Sequence, residues 1–179
     1  VVLSVNFDHA FAGKSLGVDT APKIPFDAQV AELEQLARAV NQGNSPSTWE
    51  LLPFLGLDPR HRATEAQLLS WVQSLLVPNG VFCGIKVYPP LRVNPADPKL
   101  APIWDLCQDL GVPVTSHCGA MGGGVRDEES CCQLAHPKYW RPVLERLTRR
   151  KETCQSGTKT FKLCLAHFAD LERPDDESW

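Results

Sequence analysis

Residues 81–118 read VFCGIKVYPPLRVNPADPKLAPIWDLCQDLGVPVTSHC, and this stretch decides the fold. The apolar run from Val81 to Tyr88 predicts a strand, stopped by Pro89-Pro90. Asp97 is placed as a helix N-cap, with Pro98 at the first helical position. Leu100, Ile103, Trp104, Cys107 and Leu110 then fall on one helical stripe, and Gly111 is placed to end it. Val112 to His117 predicts the next strand. Strand, helix and strand in this order make a βαβ unit, whose strands run parallel and whose crossover is right-handed.

The same alternation extends outward in both directions. On the N-terminal side, Leu51 to Leu57 predicts a strand stopped by Asp58-Pro59. Thr64-Glu65-Ala66-Gln67 has the spacing of a capping box. The helix after it puts Leu68, Leu69, Val72, Leu75 and Leu76 on one side, and Pro78-Asn79-Gly80 ends it. Earlier still, Val1 to Phe7 reads as a strand, and Asp27 as the cap of a helix carrying Val30, Leu33, Leu36, Ala37 and Val40. On the C-terminal side, Cys118 to His136 reads as a long loop in which Gly122-Gly123-Gly124 forms a flexible lid. Trp140, Val143, Leu144 and Leu147 mark a further helix that Pro142 delays or kinks. Arg149 to Thr160 reads as a polar insertion, and Phe161 to His167 as the last strand. Five predicted strands alternating with four helices give an α/β fold with a parallel sheet and helices packed outside. An open doubly wound sheet and a part of an eight-stranded barrel both fit this order. No GxGxxG follows a strand, so a dinucleotide site has no support.

Composition narrows the function classes. The 179 residues are 43% hydrophobic and 22% charged, ordinary for a globular domain with its own core. The formal net charge of −3 argues against a nucleic-acid partner. No apolar run approaches the ~20 residues that span a bilayer, so no membrane partner is expected. The start has neither the basic region nor the small-residue site of a signal peptide, and it has no initiator Met, so the chain is expected to begin inside a longer protein. The seven cysteines are an odd number without CxxC spacing, and several sit on apolar faces as small hydrophobes. This usage predicts a reducing, cytoplasmic compartment. Cys131-Cys132 read as loop residues. The partner expected is a small molecule, with homo-oligomers possible.

In parallel α/β folds the chemistry collects where strands end. The five expected ends are Asn6-Phe7-Asp8-His9, Leu57-Asp58, Lys86-Val87-Tyr88, Ser116-His117-Cys118 and Ala166-His167-Phe168. Side chains alternate along a strand, so Gly84, Lys86 and Tyr88 share a face, as do Pro113, Thr115 and His117. Phe161, Leu163, Leu165 and His167 share another. With these faces turned inward, Lys86, His117 and His167 converge at the mouth of a barrel, with Tyr88 and Asp8 beside them as substrate-binding residues. One such His alone is more often a hydrogen-bonded core residue than a ligand. A lysine in an apolar strand is harder to dismiss, because burying an ammonium is costly without a partner. His61 and His136 read as solvated loop residues.

Gly84-Ile85-Lys86-Val87-Tyr88-Pro89-Pro90, Val112-Pro113-Val114-Thr115-Ser116-His117-Cys118, Pro137-Lys138-Tyr139-Trp140-Arg141 and Leu163-Cys164-Leu165-Ala166-His167-Phe168, with Pro53 to Arg60 before them, resemble the amidohydrolase-related family of metal-dependent hydrolases. The resemblance runs to about residue 170 and keeps the motif order. It implies one domain over residues 1–179, a partial (β/α)8 TIM barrel covering about strands two to six with outer helices, incomplete at both ends. It implies a divalent metal, Zn2+, with His117 as the fifth-strand ligand and His167 as the sixth-strand ligand or general acid/base. Lys86 falls where some amidohydrolases carry a carboxylated lysine. The first-strand His-x-His pair of that family is absent from the chain, and its eighth-strand Asp is expected beyond residue 179. Asp170 stands where small glycines are expected.

The activity implied is hydrolysis of a C–N, C–O or lactone bond by metal-activated water, with His167 and Lys86 as catalytic groups. Three alternatives stay open. One is non-oxidative decarboxylation within the same superfamily. Another is a lyase with a Schiff base on Lys86, and the third is an inactive truncated barrel.

Overall fold

In the computed structural model the strands anticipated from the apolar runs form, the second over the residues expected and the other four shorter at one or both ends. The residues described are 2–5, 24–42, 50–119, 133–154 and 157–167. Strands β1 (Val2–Val5), β2 (Leu51–Leu57), β3 (Gly84–Val87), β4 (Val114–His117) and β5 (Leu163–Ala166) make one sheet in the order β1-β2-β3-β4-β5. Every neighbouring pair is parallel. Between them run α1 (Phe26–Gln42), α2 (Glu65–Leu75), α3 (Ala101–Leu110) and α4 (Arg141–Thr153).

Local chemistry explains most of the helix ends. Thr64 and Gln67 complete the capping box of α2 reciprocally. Asp97 accepts from the Lys99 N–H at 2.9 Å, but what it caps is a 3-10 turn, Pro98–Leu100, that leads into α3. Gly111 ends α3 at φ 72°, a left-handed conformation that glycine adopts without strain. Pro142 stands in the first turn of α4, where its missing N–H had no helical partner to lose. So α4 starts late, after a 3-10 turn at Pro137–Trp140, with Pro142 in its first turn and not in its interior.

Three expectations are corrected. Asp27 is not a cap, because α1 begins one residue earlier at Phe26. The stripe of α1 is narrower than its spacing suggests, since Leu36 and Val40 are exposed and only Phe26, Val30, Leu33 and Ala37 are buried. The polar run from Arg149 continues α4 to Thr153, with Arg150 and Lys151 in the last turn, where cations meet the negative end of the helix dipole.

One core joins the sheet to all four helices. Leu51, Leu55 and Leu57 of β2, Ile85 and Val87 of β3 and Val114 of β4 are buried in it with apolar residues of α1, α2, α3 and α4. Leu163 and Leu165 of β5 pack against its margin. The helices therefore cover one sheet face. A doubly wound sheet reverses its strand order and carries helices on both faces, and neither feature is present among the described residues. The register assigns the opposite face: Phe54 lies beside Gly84, Gly56 beside Lys86, Lys86 beside Thr115, Thr115 beside Cys164 and His117 beside Ala166. Gly84 is required there, because a Cβ would lie 2.3 Å from the Phe54 ring.

Between α3 and α4, Arg146 pairs with Asp105 at 2.7 Å and Arg150 with Asp109 at 2.8 Å. No helix among the described residues is long and apolar enough to cross a membrane.

Candidate functional site

The face opposite the described helices ends in a cluster of rings. His117 is the last residue of β4 and is 6% exposed. Tyr88, one residue past β3, stands edge-on to it, with ring centroids 4.8 Å apart and planes at 61°. On the other side the His167 ring lies 4.7 Å from His117, with planes at 52°. Three sequence-selected residues thus meet at the C-terminal edge of the sheet, where loops of a parallel α/β fold open.

His167 does not arrive there by strand alternation. Leu163 lies beside Val114 and Leu165 beside Ser116, so both leucines belong to the helix side. Continued alternation would send His167 to that same side. Its backbone instead turns to φ 70°, a left-handed conformation uncommon for a residue with a Cβ. The turn directly after Ala166 sets the exposed imidazole against His117. The expected meeting of the two histidines is present, and the face proposed for Leu163, Leu165 and His167 together is corrected.

Lys86 shares the face but not the layer. It precedes Tyr88 by two residues, and its neighbour Thr115 precedes His117 by two, which places it roughly 7 Å deeper along the strands. Lys86 is 8% exposed. Burial pushes its pKa below the usual lysine range, and the nearby Cys164 thiol acts weakly in the opposite direction. Among the described residues no carboxylate forms an ion pair with it.

The remaining candidates divide differently. Asp8 and His9 lie outside the described residues, as do Gly122 to Gly124 and Cys131-Cys132. Asp58 is buried at the end of β2, but its carboxylate accepts from the Arg60 N–H and from Arg60 Nε, both at 2.8 Å, and pairs with Arg60 Nη2. Arg60 Nη2 also reaches the Leu91 carbonyl at 2.6 Å. This arrangement ties the β2 end to the turn after β3 and gives Asp58 a structural task.

His61 and His136 are not simple solvated residues. His61 is half-buried and stacks on Phe26 at 4.0 Å. His136 accepts from the Lys138 N–H at 3.0 Å through Nδ1, capping the turn before α4.

Sequence reading missed Cys164. It is exposed, on the same face as Lys86 and His117, and free of any disulfide. The signal was available: in Phe161-Lys162-Leu163-Cys164-Leu165-Ala166, large Leu163 and Leu165 alternate with small Cys164 and Ala166. Large apolar residues suit the helix-covered side, and small ones suit a face that leaves room for a ligand. A cavity of about 600 Å³, lined by α4 residues, Pro137, Lys138 and Leu165, lies on the helix side and away from the histidine pair.

Two imidazoles that each bring a nitrogen within about 2.1 Å of one zinc ion have centroids roughly 5 Å apart. The 4.7 Å between His117 and His167 is compatible with that geometry. The pair supplies two of the three protein ligands usual in a catalytic zinc site, and no group of three ligating residues occurs among the described residues. Comparison with family models, with curated proteins and with solved structures finds no match to this chain.

Proposed function

We propose that this chain forms part of a (β/α)8-type barrel, about strands two to six, and serves a metal-dependent hydrolase of the amidohydrolase-related type. The observation that carries the reading is the His117–His167 pair, 4.7 Å apart at the ends of neighbouring parallel strands, on the face the helices leave open. The consecutive strand order and the one-sided helix layer support the barrel reading, because a sheet wound in one direction curls with its helices outside.

In this reading His117 and His167 hold a divalent ion such as Zn2+, completed by donors outside the described residues. Zinc held there would supply Lewis acidity: an acidified water and polarisation of a substrate carbonyl. The residues of the chain do the rest. Tyr88 and the β4 backbone fix the ring of His117, so the ligand is oriented before the ion binds. His167 is the more exposed of the two and faces incoming substrate. Below them on the same face, the Phe54 ring packs directly over Gly84.

Equilibrium dialysis of Zn2+ against the protein and its H117A and H167A variants tests this proposal. Each substitution is expected to weaken binding at least tenfold while the thermal transition remains cooperative. Zinc affinity unchanged by both substitutions would remove the pair from any metal centre.

A further inference from the structure

The buried lysine calls for a partner that the described residues do not supply. Lys86 has Gly56 on one side and Thr115 on the other, with Cys164 one strand further. Glycine has no side chain, and threonine offers only a neutral hydroxyl. The carboxylates that form ion pairs in the described residues are engaged elsewhere: Glu34 with Arg38, Asp58 with Arg60, Asp27 with Arg62, Asp105 and Asp109 with the α4 arginines. A cation held at 8% exposure without a counter-charge is unfavourable. The strain is relieved when an anion binds beside it.

We infer that Lys86 is the anchor for the carboxylate of a small carboxylic acid substrate, which it holds one layer beneath the Tyr88–His117–His167 rings. This rests on the reading of that face as the active site. The charge matches a monoanion. A single ammonium in a poorly hydrated site neutralises one carboxylate, whereas a phosphate dianion would leave one charge buried and unmatched. Thr115 Oγ1 belongs to the neighbouring position of the same row and is a hydrogen-bond donor suited to the second carboxylate oxygen. The spacing sets the rest of the ligand. The carboxylate docks at the level of Lys86, and the histidines stand roughly 7 Å higher along the strands. The bond that reacts therefore lies a few bonds from the carboxylate, and the segment between passes Tyr88. Lys86 acts by charge here, so arginine preserves its role and an amide or thioether does not.

Isothermal calorimetry on the zinc-free protein tests the anchor, with acetate and benzoate as probes, benzamide as the neutral counterpart of benzoate and inorganic phosphate as the competing anion. At least one of the two acids is expected to bind, with benzamide and phosphate at least tenfold weaker. K86R is expected to stay within a few-fold of wild type, and K86M and K86Q to lose at least tenfold. H117A is expected to keep acid binding, and K86M to keep zinc binding, so the anchor and the metal centre fail separately. Equal affinity of wild type and K86M for both acids, equal affinity for benzamide and benzoate, or no binding of either acid would overturn the inference. So would borohydride trapping of a carbonyl compound on Lys86, or carboxylation of its amine in labelled bicarbonate, since each gives the nitrogen a different task.

Discussion

Ile85 and Lys86 are adjacent in the chain, and the two faces of the sheet treat them in opposite ways. Ile85 is fully buried against the helices, beside Leu55 and Val114. Lys86 is almost as buried, yet it lies on the face that carries Thr115, His117, Cys164 and Ala166. One side consists of large aliphatic groups whose burial stabilises the fold. The other combines small residues, a cation and the aromatic rings of Tyr88, His117 and His167. On the proposed reading, stability and chemistry are divided across a single layer of backbone, and substitution of neighbouring residues should have effects of opposite sign.

The largest expected effect is on the helix side. Ile85→Ala removes buried methyl groups from a close-packed site and is expected to destabilise the protein by about 3 kcal/mol. Urea denaturation measures it through a lower midpoint at unchanged slope. A loss below about 1 kcal/mol would mean that Ile85 is not part of a tightly packed core, and the contrast between the faces would fail at its strong end.

The neighbouring substitution should have the opposite sign. Lys86→Met replaces a buried cation by an apolar group of similar length and is expected to stabilise the protein by about 1 kcal/mol at neutral pH. The sign of the pH dependence follows from the direction of the shift. Burial lowers the Lys86 pKa in the fold, while the unfolded chain keeps a value of about 10.4. Below the lowered pKa both states are protonated, and the folded protein bears the full cost of the buried ammonium. Between the two values the folded state releases its proton while the unfolded state keeps it, so wild-type stability rises with pH. The gap between wild type and Lys86→Met should therefore narrow as pH rises through the lowered pKa toward about 10.4. A gap independent of pH over that window would show that charge is not the cause.

The two faces also differ in how well they could be read in advance. The helix-covered side was legible because its signals are local: apolar periodicity for the five strands, the Thr64–Gln67 box for α2 and Gly111 for the end of α3. The open face was legible only where alternation was unambiguous, as for Lys86, Tyr88 and His117. On β5 the parity was read backwards. Leu163, Leu165 and His167 were grouped because they alternate, whereas the sheet register sends the leucines to the helices. Alternation cannot anticipate a left-handed residue at the strand end, which depends on what the loop beyond requires. Asp58, read in sequence as a strand stop and strand-end residue, shows the same limit. A carboxylate at a strand end looks catalytic in sequence, and only the structure shows it occupied by Arg60. Asp8 lies outside the described residues, so its part in the site is carried by the sequence alone.

The smallest expected effect isolates that left-handed turn. His117 reaches the site along an extended strand, whereas His167 reaches it through a backbone conformation that costs roughly 1–2 kcal/mol for a residue with a Cβ. His167→Ala removes the imidazole and keeps the strained Cβ. His167→Gly removes both, but glycine also gives the unfolded chain more freedom to lose, and this offsets part of the gain. The glycine variant should consequently be the more stable of the two by about 0.5–1 kcal/mol, and both should lose zinc affinity to the same extent. Paired denaturation curves and zinc dialysis of the two variants separate the functions. If alanine proves as stable as glycine, His167 is not held in a strained turn. The short distance between the histidine rings would then need another cause, such as an attraction between the rings strong enough to pull an unstrained strand end into place.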